Sequence, residues 1–338
     1  MDGKGQYEGV WILAETDGGR VARVGYELLA RGRALADKRG TELTAVAIGH
    51  DVSADDLDDL IARGADVVLL TEAPQLEHFL VEPCAAVLIA LIEKHRPEIV
   101  IAAATTTGRT LMPYVAVKVH AGLTADCTGL DIEPDTGNLL QTRPAIGGNI
   151  MATIKTPTAR PQMATVRPRS TRPPEPDPSR RGRVVREPPP DRLDSRVRRT
   201  DFLPVADAHA LGEADRVVSA GRGIKKGENL GVVTDLADAL DAAVGASRDV
   251  VDRGWLEYPH QVGLSGKTVS PDLYVACGVS GAIQHLAGMQ TAEAIVAVNS
   301  DPDAQIFRVA DVGIVGDLFE VLPLLTERIR EEKGAPRS

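Results

Sequence analysis

The sequence is poor in cysteine, in long apolar runs and in aromatic residues, and each shortage excludes a class of protein. Its 338 residues include three cysteines, Cys84, Cys127 and Cys277, too few and too widely spaced for a disulfide framework or for a zinc or iron–sulfur site. No apolar run approaches the roughly 20 residues that a membrane-spanning helix requires, and residues 1–9 lack a signal-peptide pattern. We therefore expect a cytoplasmic protein that is not embedded in a membrane.

Charge and aromatic content narrow the class further. The formal charge of −10 argues against nucleic acid as a partner, because phosphate binding needs a positive face. Aromatic residues make up 3% of the chain, so its cores must be built mainly from Ala, Val, Leu and Ile. Such a composition favours buried parallel strands flanked by Ala-rich helices, and a chain of 338 residues favours two domains.

The first third of the chain alternates short apolar runs with helical patterns, which predicts a parallel sheet covered on both faces. The predicted strands are Val10–Ala14, Leu43–Ile48, Asp66–Thr71 and Glu98–Ala104, and the predicted helices are Arg23–Arg39, Glu82–His95 and Arg109–His120. Beyond His120, turn residues separate four short segments that predict an antiparallel extension: Asp126–Ile132, Leu139–Arg143, Asn149–Lys155 and Gln162–Val166.

The stretch from Thr156 to Pro204 holds 11 of the chain's 22 prolines together with 12 arginines. Proline at this density prevents helix and central strand, so we expect loop or extended chain, with room for an edge strand at Val184-Val185. A basic tail for nucleic acid is the alternative interpretation. Acidic residues are interspersed among the arginines, which favours a solvated connector between domains at about residues 167–204.

The alternating pattern returns after this stretch. The predicted helices are Ala206–Leu211, Leu236–Val244, Ala282–Ala287 and Phe319–Arg330, and the predicted strands are Arg216–Ser219, Leu273–Cys277, Ala294–Asn299 and Val312–Val315. We therefore predict an α/β fold with two doubly wound domains. The first, residues 1–204, has a mostly parallel sheet with an antiparallel extension and ends in the connector; the second, residues 205–338, is smaller and Rossmann-like.

Polar or glycine-rich segments follow several strands of the second domain. They are Ser219–Gly223, Gly278–Ala282, Asn299–Asp301 and Gly313–Asp317. The carboxyl ends of parallel strands form the ligand crevice of such sheets, and a glycine turn that leads into a helix offers backbone amides to a pyrophosphate. Each segment alone is as readily a turn or a helix cap. Together, the four favour a nucleotide-type ligand.

Two other classes of protein remain as alternatives, and the sequence lacks the signature motif of each. A dehydrogenase that uses NAD(P) would show G-x-G-x-x-G followed by an acidic residue, and a nucleotide-binding regulatory module would show a phosphate loop after an early strand. The sequence has neither, and Glu15–Gly19 is a poor phosphate loop. His260, His285 and Asp311 show no spacing for a metal or a nucleophile–base pair. We predict no catalytic residue and no metal ligand.

Four runs in the second half resemble the alpha subunit of electron-transfer flavoproteins. They are Gly245–Arg248, Gln261–Lys267, Val279–Met289 and Val315–Phe319. The resemblance covers about the last 130 residues closely, in the same order and spacing. The stretch Arg143–Asn149 fits the anaerobic branch of the same family.

The resemblance implies FAD on the second domain and a heterodimer with an electron-transfer flavoprotein beta subunit. Such a protein is an electron carrier rather than a stand-alone enzyme. It accepts electrons from a dehydrogenase, such as an acyl-CoA dehydrogenase, and passes them to a downstream acceptor. The alternative is the alpha subunit of a bifurcating complex, in which a second FAD in the beta subunit oxidises NADH.

The resemblance also implies a role for individual residues. Arg248 would lie against the isoalloxazine ring, Ser265 near flavin N5, and His285 near the O2 carbonyl. The pyrophosphate residues would be Ser247, Ser280, Gly281 and Ala282; Asn299 and Asp317 would lie on the adenosine side; Gln261 and Gly263 would shape the loop at the ring, and Arg222 is a further candidate. Leu264 departs from the family, many of whose members have Gln there, and Cys277 is expected to be a small buried residue rather than a redox thiol.

Overall fold

The computed structural model describes residues 7–145, 150–201, 211–212 and 214–334. The chain divides into two compact units, unit 1 at Met1–Thr200 and unit 2 at Asp201–Ser338. No helix within the described ranges is long and apolar enough to cross a membrane.

Unit 1 alternates strands and helices before it turns to short strands. Its elements are β1 (Val10–Ala14), β2 (Thr16–Asp17), β3 (Arg20–Val21), α1 (Arg23–Arg39), β4 (Leu43–Gly49), α2 (Ala54–Ala62), β5 (Val67–Glu72), α3 (Val81–His95), β6 (Ile99–Ala103), α4 (Thr106–Lys118), β7 (Gly122–Cys127), β8 (Gly129–Ile132), β9 (Leu139–Pro144), β10 (Met151–Ile154), β11 (Gln162–Val166) and β12 (Arg183–Arg186). The strands and helices predicted for its first 120 residues are confirmed.

Seven parallel strands form the main sheet of unit 1, in the order β12-β5-β4-β1-β6-β11-β7. One face packs against α1 and α2, and the other packs against α3 and α4. Every residue of β1, β4 and β6 is buried. The continuous apolar runs of these strands follow from this double cover.

The prediction of an antiparallel extension is confirmed for β8, β9 and β10, which form a separate three-stranded sheet. The predicted segment Asp126–Ile132 is wrong at its start, because Asp126 and Cys127 belong to the parallel strand β7. The antiparallel prediction is also wrong for Gln162–Val166. This segment is β11, which lies between β6 and β7 in the parallel sheet and is buried at all five positions. The residues of this segment are therefore suited to burial on both faces of a parallel sheet, and not to pairing in a hairpin. Asn149 lies outside the described residues.

The Pro- and Arg-rich stretch is bound to unit 1. We call residues 167–199 the strap. The predicted edge strand at Val184-Val185 is confirmed, because β12 pairs with β5. Ion pairs hold the strap to unit 1: Arg180 with Asp66 at 2.9 Å, Arg183 with Glu42 at 2.7 Å, Glu187 with Lys94 at 2.5 Å, and Arg196 with Glu82 at 2.6 Å. Glu187 also lies 2.9 Å from Nε2 of His95, at hydrogen-bond distance. These contacts hold the strap against unit 1, and its role as a solvated connector between domains stays a prediction.

Unit 2 is a smaller α/β unit. Its elements are β13 (Arg216–Ala220), α5 (Gly231–Leu240), β14 (Ala243–Ala246), α6 (Arg248–Asp252), β15 (Leu273–Cys277), α7 (Ile283–Leu286), β16 (Ala294–Asn299), β17 (Val312–Val315) and α8 (Leu318–Gly334). The five strands are parallel, in the order β14-β13-β15-β16-β17. Helices α5 and α8 cover one face. Most of the predicted helix Ala206–Leu211 lies outside the described residues.

The predicted helix Leu236–Val244 is wrong at its C-terminal end. Helix α5 ends at Leu240, and Asp241 follows in the left-handed conformation with φ of 51°. The N–H of Asp241 bonds to the carbonyls of Ala237 and Asp238, which closes the helix. The next residues form the edge strand β14. The sequence analysis extended the helix into this strand because alanine favours a helix.

Candidate ligand site in unit 2

A crevice of about 580 Å³ opens at the carboxyl ends of β13, β14, β15 and β16. Because the strands are parallel, the turns that follow them meet at one edge of the sheet. The crevice brings together most of the residues singled out from the sequence: Arg222, Ser247, Arg248, Gly263, Ser265, Ser280, Ala282, His285 and Asn299. Three others, Gln261, Gly281 and Asp317, do not line it.

The turns after β13 and β15 touch through their backbones. A Cβ atom on Gly221 would lie 2.2 Å from the carbonyl oxygen of Gly278, and Gly278 itself has a φ of +65°. The N–H of Gly221 bonds to the carbonyl of Cys277, and that of Gly223 to the carbonyl of Gly278. Only glycine permits this approach, so the glycine content of both turns has a structural cause at the edge of the crevice.

Three successive backbone amides at the crevice are unpaired. Among the described residues, the N–H groups of Ser280, Gly281 and Ala282 donate no hydrogen bond. Ser280 and Ala282 line the crevice, whereas Gly281, with φ of +82°, packs against the backbone of Ile306. Consecutive free amides in a turn form an anion-binding concavity. The helix that follows, α7, has four residues, so its dipole adds little to these amides.

Ser265 is presented by a tight loop that begins at Tyr258. The phenol of Tyr258 donates to the carbonyl of Ser265 at 2.8 Å, and the side-chain amide of Gln261 donates to the Ser265 hydroxyl at 2.9 Å. Gln261 is 3% exposed and therefore acts behind the crevice wall. Leu264, the departure from the family, is an exposed side chain on the same loop.

His285 is a buried side chain at the crevice. Its Nε2 atom lies 2.9 Å from the phenol oxygen of Tyr274, and its Nδ1 atom has no hydrogen-bond partner among the described residues. Burial lowers the pKa of His285 to about 4, although the Val262 carbonyl near the ring opposes the shift. At neutral pH the imidazole is therefore uncharged, with one nitrogen that donates and one that accepts.

Arg248 begins α6 and faces the crevice beside two acidic residues. Its guanidinium lies 3.2 Å from the carboxylate of Asp252, one helical turn later. Asp249 and Asp252 both line the crevice, and sequence reasoning missed them. The i,i+4 spacing of Arg248 and Asp252 was the available signal.

The two residues expected on the adenosine side differ in position. Asn299 lines the crevice, where its side chain bonds to the carbonyl of Val279 and the N–H of Asp301. Asp317 accepts a hydrogen bond from the N–H of Phe319 at 2.9 Å and caps α8. Its role toward a ligand stays a prediction.

The chemistry of the crevice suits a large ligand with an anionic centre. Free amides and an arginine favour a phosphate group, while the buried, partly unpaired imidazole needs a polar ligand atom or another partner. Within the described residues there is no cluster of three metal-ligating side chains. Cys277 is confirmed as a buried residue, and burial raises the pKa of its thiol to about 12.

Comparisons with known proteins agree with these features. Residues 10–192 match the electron transfer flavoprotein domain, and residues 210–290 match the electron transfer flavoprotein FAD-binding domain. The chain is 48% identical to the electron transfer flavoprotein subunit alpha of Thermoanaerobacterium thermosaccharolyticum over 97% of this chain and 99% of that protein. It is 45% identical to the subunit of that name from Megasphaera elsdenii, over 97% and 98%.

A more distant relative carries a different description. The lactate dehydrogenase (NAD(+),ferredoxin) subunit LctC of Acetobacterium woodii is 39% identical, over 96% of this chain and 78% of that protein. Among solved structures, a putative thiamin diphosphate-dependent enzyme from Mycobacterium smegmatis aligns with a TM-score of 0.22 at 14% identity, over 90% of this chain and 54% of that one.

Proposed function

The chain belongs to the electron transfer flavoprotein family as an alpha subunit, and from that premise we propose that it carries electrons between a dehydrogenase and a downstream acceptor, as a heterodimer with a beta subunit. FAD is the cofactor, and the crevice of unit 2 is its site. The cytoplasmic location and a partner of the acyl-CoA dehydrogenase class remain parts of this proposal.

The observation that carries the proposal is the pair of unpaired polar features at one crevice. Among the described residues, the backbone amides of Ser280, Gly281 and Ala282 donate no hydrogen bond, and Nδ1 of His285 has no hydrogen-bond partner. A dinucleotide with a pyrophosphate and a polar ring satisfies both. The residues present therefore fit FAD.

Each residue singled out from the sequence then has a place in the proposed site. The amides of Ser280–Ala282 and the hydroxyl of Ser247 hold the pyrophosphate, and Asn299 and Asp317 serve the adenosine side. Ser265, His285 and Arg248 surround the ring, with Gln261 and Gly263 shaping the loop beside it and Arg222 at the turn after β13.

When bound, FAD supplies reversible one- and two-electron transfer. The side chains adjust how favourable that transfer is. Arg248, an exposed guanidinium at the crevice that is charged at any relevant pH, stabilises negative charge on the ring. His285, neutral because burial lowers its pKa, offers a hydrogen bond without adding a full charge.

The second candidate is the bifurcating complex, in which a beta subunit with its own FAD oxidises NADH. The similarity to the LctC subunit of a lactate dehydrogenase named for NAD(+) and ferredoxin favours it. The second site would lie in the beta subunit, so this chain carries the same tasks in both cases.

A visible spectrum of the co-purified heterodimer tests both candidates. One FAD per heterodimer that NADH alone leaves oxidised supports the simple carrier. Two FADs, one of which bleaches with NADH, support bifurcation. A colourless heterodimer that takes up no added FAD would overturn both.

A further inference from the structure

The loop that presents Ser265 is fixed at nearly every residue. The N–H of Lys267 bonds to the carbonyl of Gln261 at 2.7 Å, that of Gly266 bonds to the carbonyl of Gly263 at 3.0 Å, and that of Leu264 bonds to the carbonyl of Gln284 at 2.8 Å. These backbone hydrogen bonds fix the position of Ser265. They do not fix the direction in which its hydroxyl proton points.

Two side chains of the loop also bond to Ser265. Tyr258 donates to its carbonyl, and Gln261 donates to its hydroxyl oxygen through Nε2 at 2.9 Å. A serine hydroxyl has one proton to donate and two lone pairs to accept with. The amide occupies a lone pair, so the hydroxyl proton has to point elsewhere. Ser265 lines the crevice, whereas the buried Gln261 does not.

We propose that Gln261 is a positioning residue that turns the hydroxyl proton of Ser265 toward the crevice, where it donates to the ring of bound FAD at N5. This inference rests on the proposed function. Gln261 has no place in the crevice wall and acts through Ser265 alone. Its burial matters because a buried amide without solvent competition holds a single orientation.

The test is a double-mutant cycle on the full chain co-expressed with its beta subunit. The variants are Gln261→Met, which keeps the length of the side chain but donates nothing, and Ser265→Ala. We expect Gln261→Met to weaken FAD binding by roughly three- to tenfold and to change the visible spectrum of oxidised FAD, since one hydrogen bond is lost or misdirected. In the Ser265→Ala background the same change should have no further effect.

Two further variants separate positioning from loss of packing. In the Ser265→Thr background a hydroxyl is retained, so Gln261→Met should again weaken binding. Gln290→Met makes the same substitution at an exposed position of unit 2 and should leave the dissociation constant unchanged. An equal loss in the Ser265→Ala background would show that Gln261 only packs, and would overturn the proposal.

A second measurement keeps the proposal testable if Gln261→Met does not fold. The probe is 5-deaza-FAD, in which N5 is a carbon that accepts no hydrogen bond. The unmutated heterodimer should bind it more weakly than FAD, and Ser265→Ala should bind the two equally. No discrimination by the unmutated protein would overturn the inference while leaving the flavoprotein assignment intact. A protein that binds neither would overturn the function itself.

Discussion

The phenol oxygen of Tyr274 lies 2.9 Å from Nε2 of His285, and both side chains are buried. Burial raises the pKa of Tyr274, so its proton is retained. Tyr274→Phe removes the hydrogen-bond partner of Nε2 of His285. We expect a loss of about 1–3 kcal/mol in the free energy of unfolding, measured by denaturant titration, because a buried polar group is left unpaired. Tyr114→Phe in unit 1 is the matched control; an equal effect there would refute this reason.

His285 also makes the stability of unit 2 depend on pH. Burial lowers its pKa from 6.5 to about 4 in the folded protein. The unfolded chain therefore takes up the proton first, so stability is present above pH 6.5 and is lost as the pH falls toward 4. The loss approaches about 3 kcal/mol. His285→Gln should flatten the pH dependence of unfolding over that window, and an unchanged slope would assign it to other groups.

Glu15, the residue after β1, should give the stability of unit 1 the opposite dependence on pH. Burial raises its pKa from 4.5 to about 7, while the hydrogen bond from Thr105 at 2.6 Å opposes the shift. Its contribution to stability is full below pH 4.5 and is lost as the pH rises through 7. Glu15→Gln should therefore stabilise the protein at pH 8 by up to about 3 kcal/mol, measured by thermal unfolding. The exposed Asp17→Asn should not.

We expect substitutions of Arg248 and Asp252 to shift the first reduction potential of bound FAD in opposite directions. Asp252→Asn releases the guanidinium from its 3.2 Å ion pair and removes a negative charge from the crevice. A more positive site stabilises added electrons, so the first reduction potential of FAD should rise. Arg248→Ala should lower it and leave FAD bound. Potentiometric titration gives both values, and shifts of the same sign would contradict the argument.

Glu187 tests how the strap is held. It pairs with Lys94 and His95 of α3 immediately after β12. Glu187→Ala should speed hydrogen exchange at Val184 and Val185, because the edge strand loses its clamp; each exposed ion pair is worth about 0.2–1 kcal/mol. Asp194→Ala is the control, since its partner Arg192 lies on the strap itself. If both variants exchange alike, the clamp is not at Glu187.

The location of the crevice in unit 2 was predictable from the sequence, because it follows from the parallel direction of the strands. Turns after parallel strands meet at one edge, so the segments near Arg222, Ser280 and Asn299 were expected together and lie together. The contact of Tyr274 with His285 was not predictable, because it depends on how a strand residue packs under a short helix. The same holds for Gln261, whose bond to Ser265 requires the loop to fold back on itself.

The fold shows the same division. Periodicity predicted the buried strands β1, β4, β5 and β6 of unit 1, because burial imposes a local pattern, but β2, β3 and most of β7 were missed. It did not predict which neighbours β11 would have, since its pairing with β6 joins residues about 60 positions apart. The strand β14 was missed for a different reason: two of its four residues are alanines, which favour helix over strand.

The position of β11 also bears on how unit 1 forms during translation. Among the described residues, β7 pairs with the main sheet only through β11, which is made roughly 40 residues later. Until Val166 has left the ribosome, β6 and β7 each present an unpaired edge to their surroundings. The nascent chain therefore passes through a stage in which an incomplete sheet needs protection from association. Only when the strap has followed does β12 cover β5 at the opposite side of the sheet.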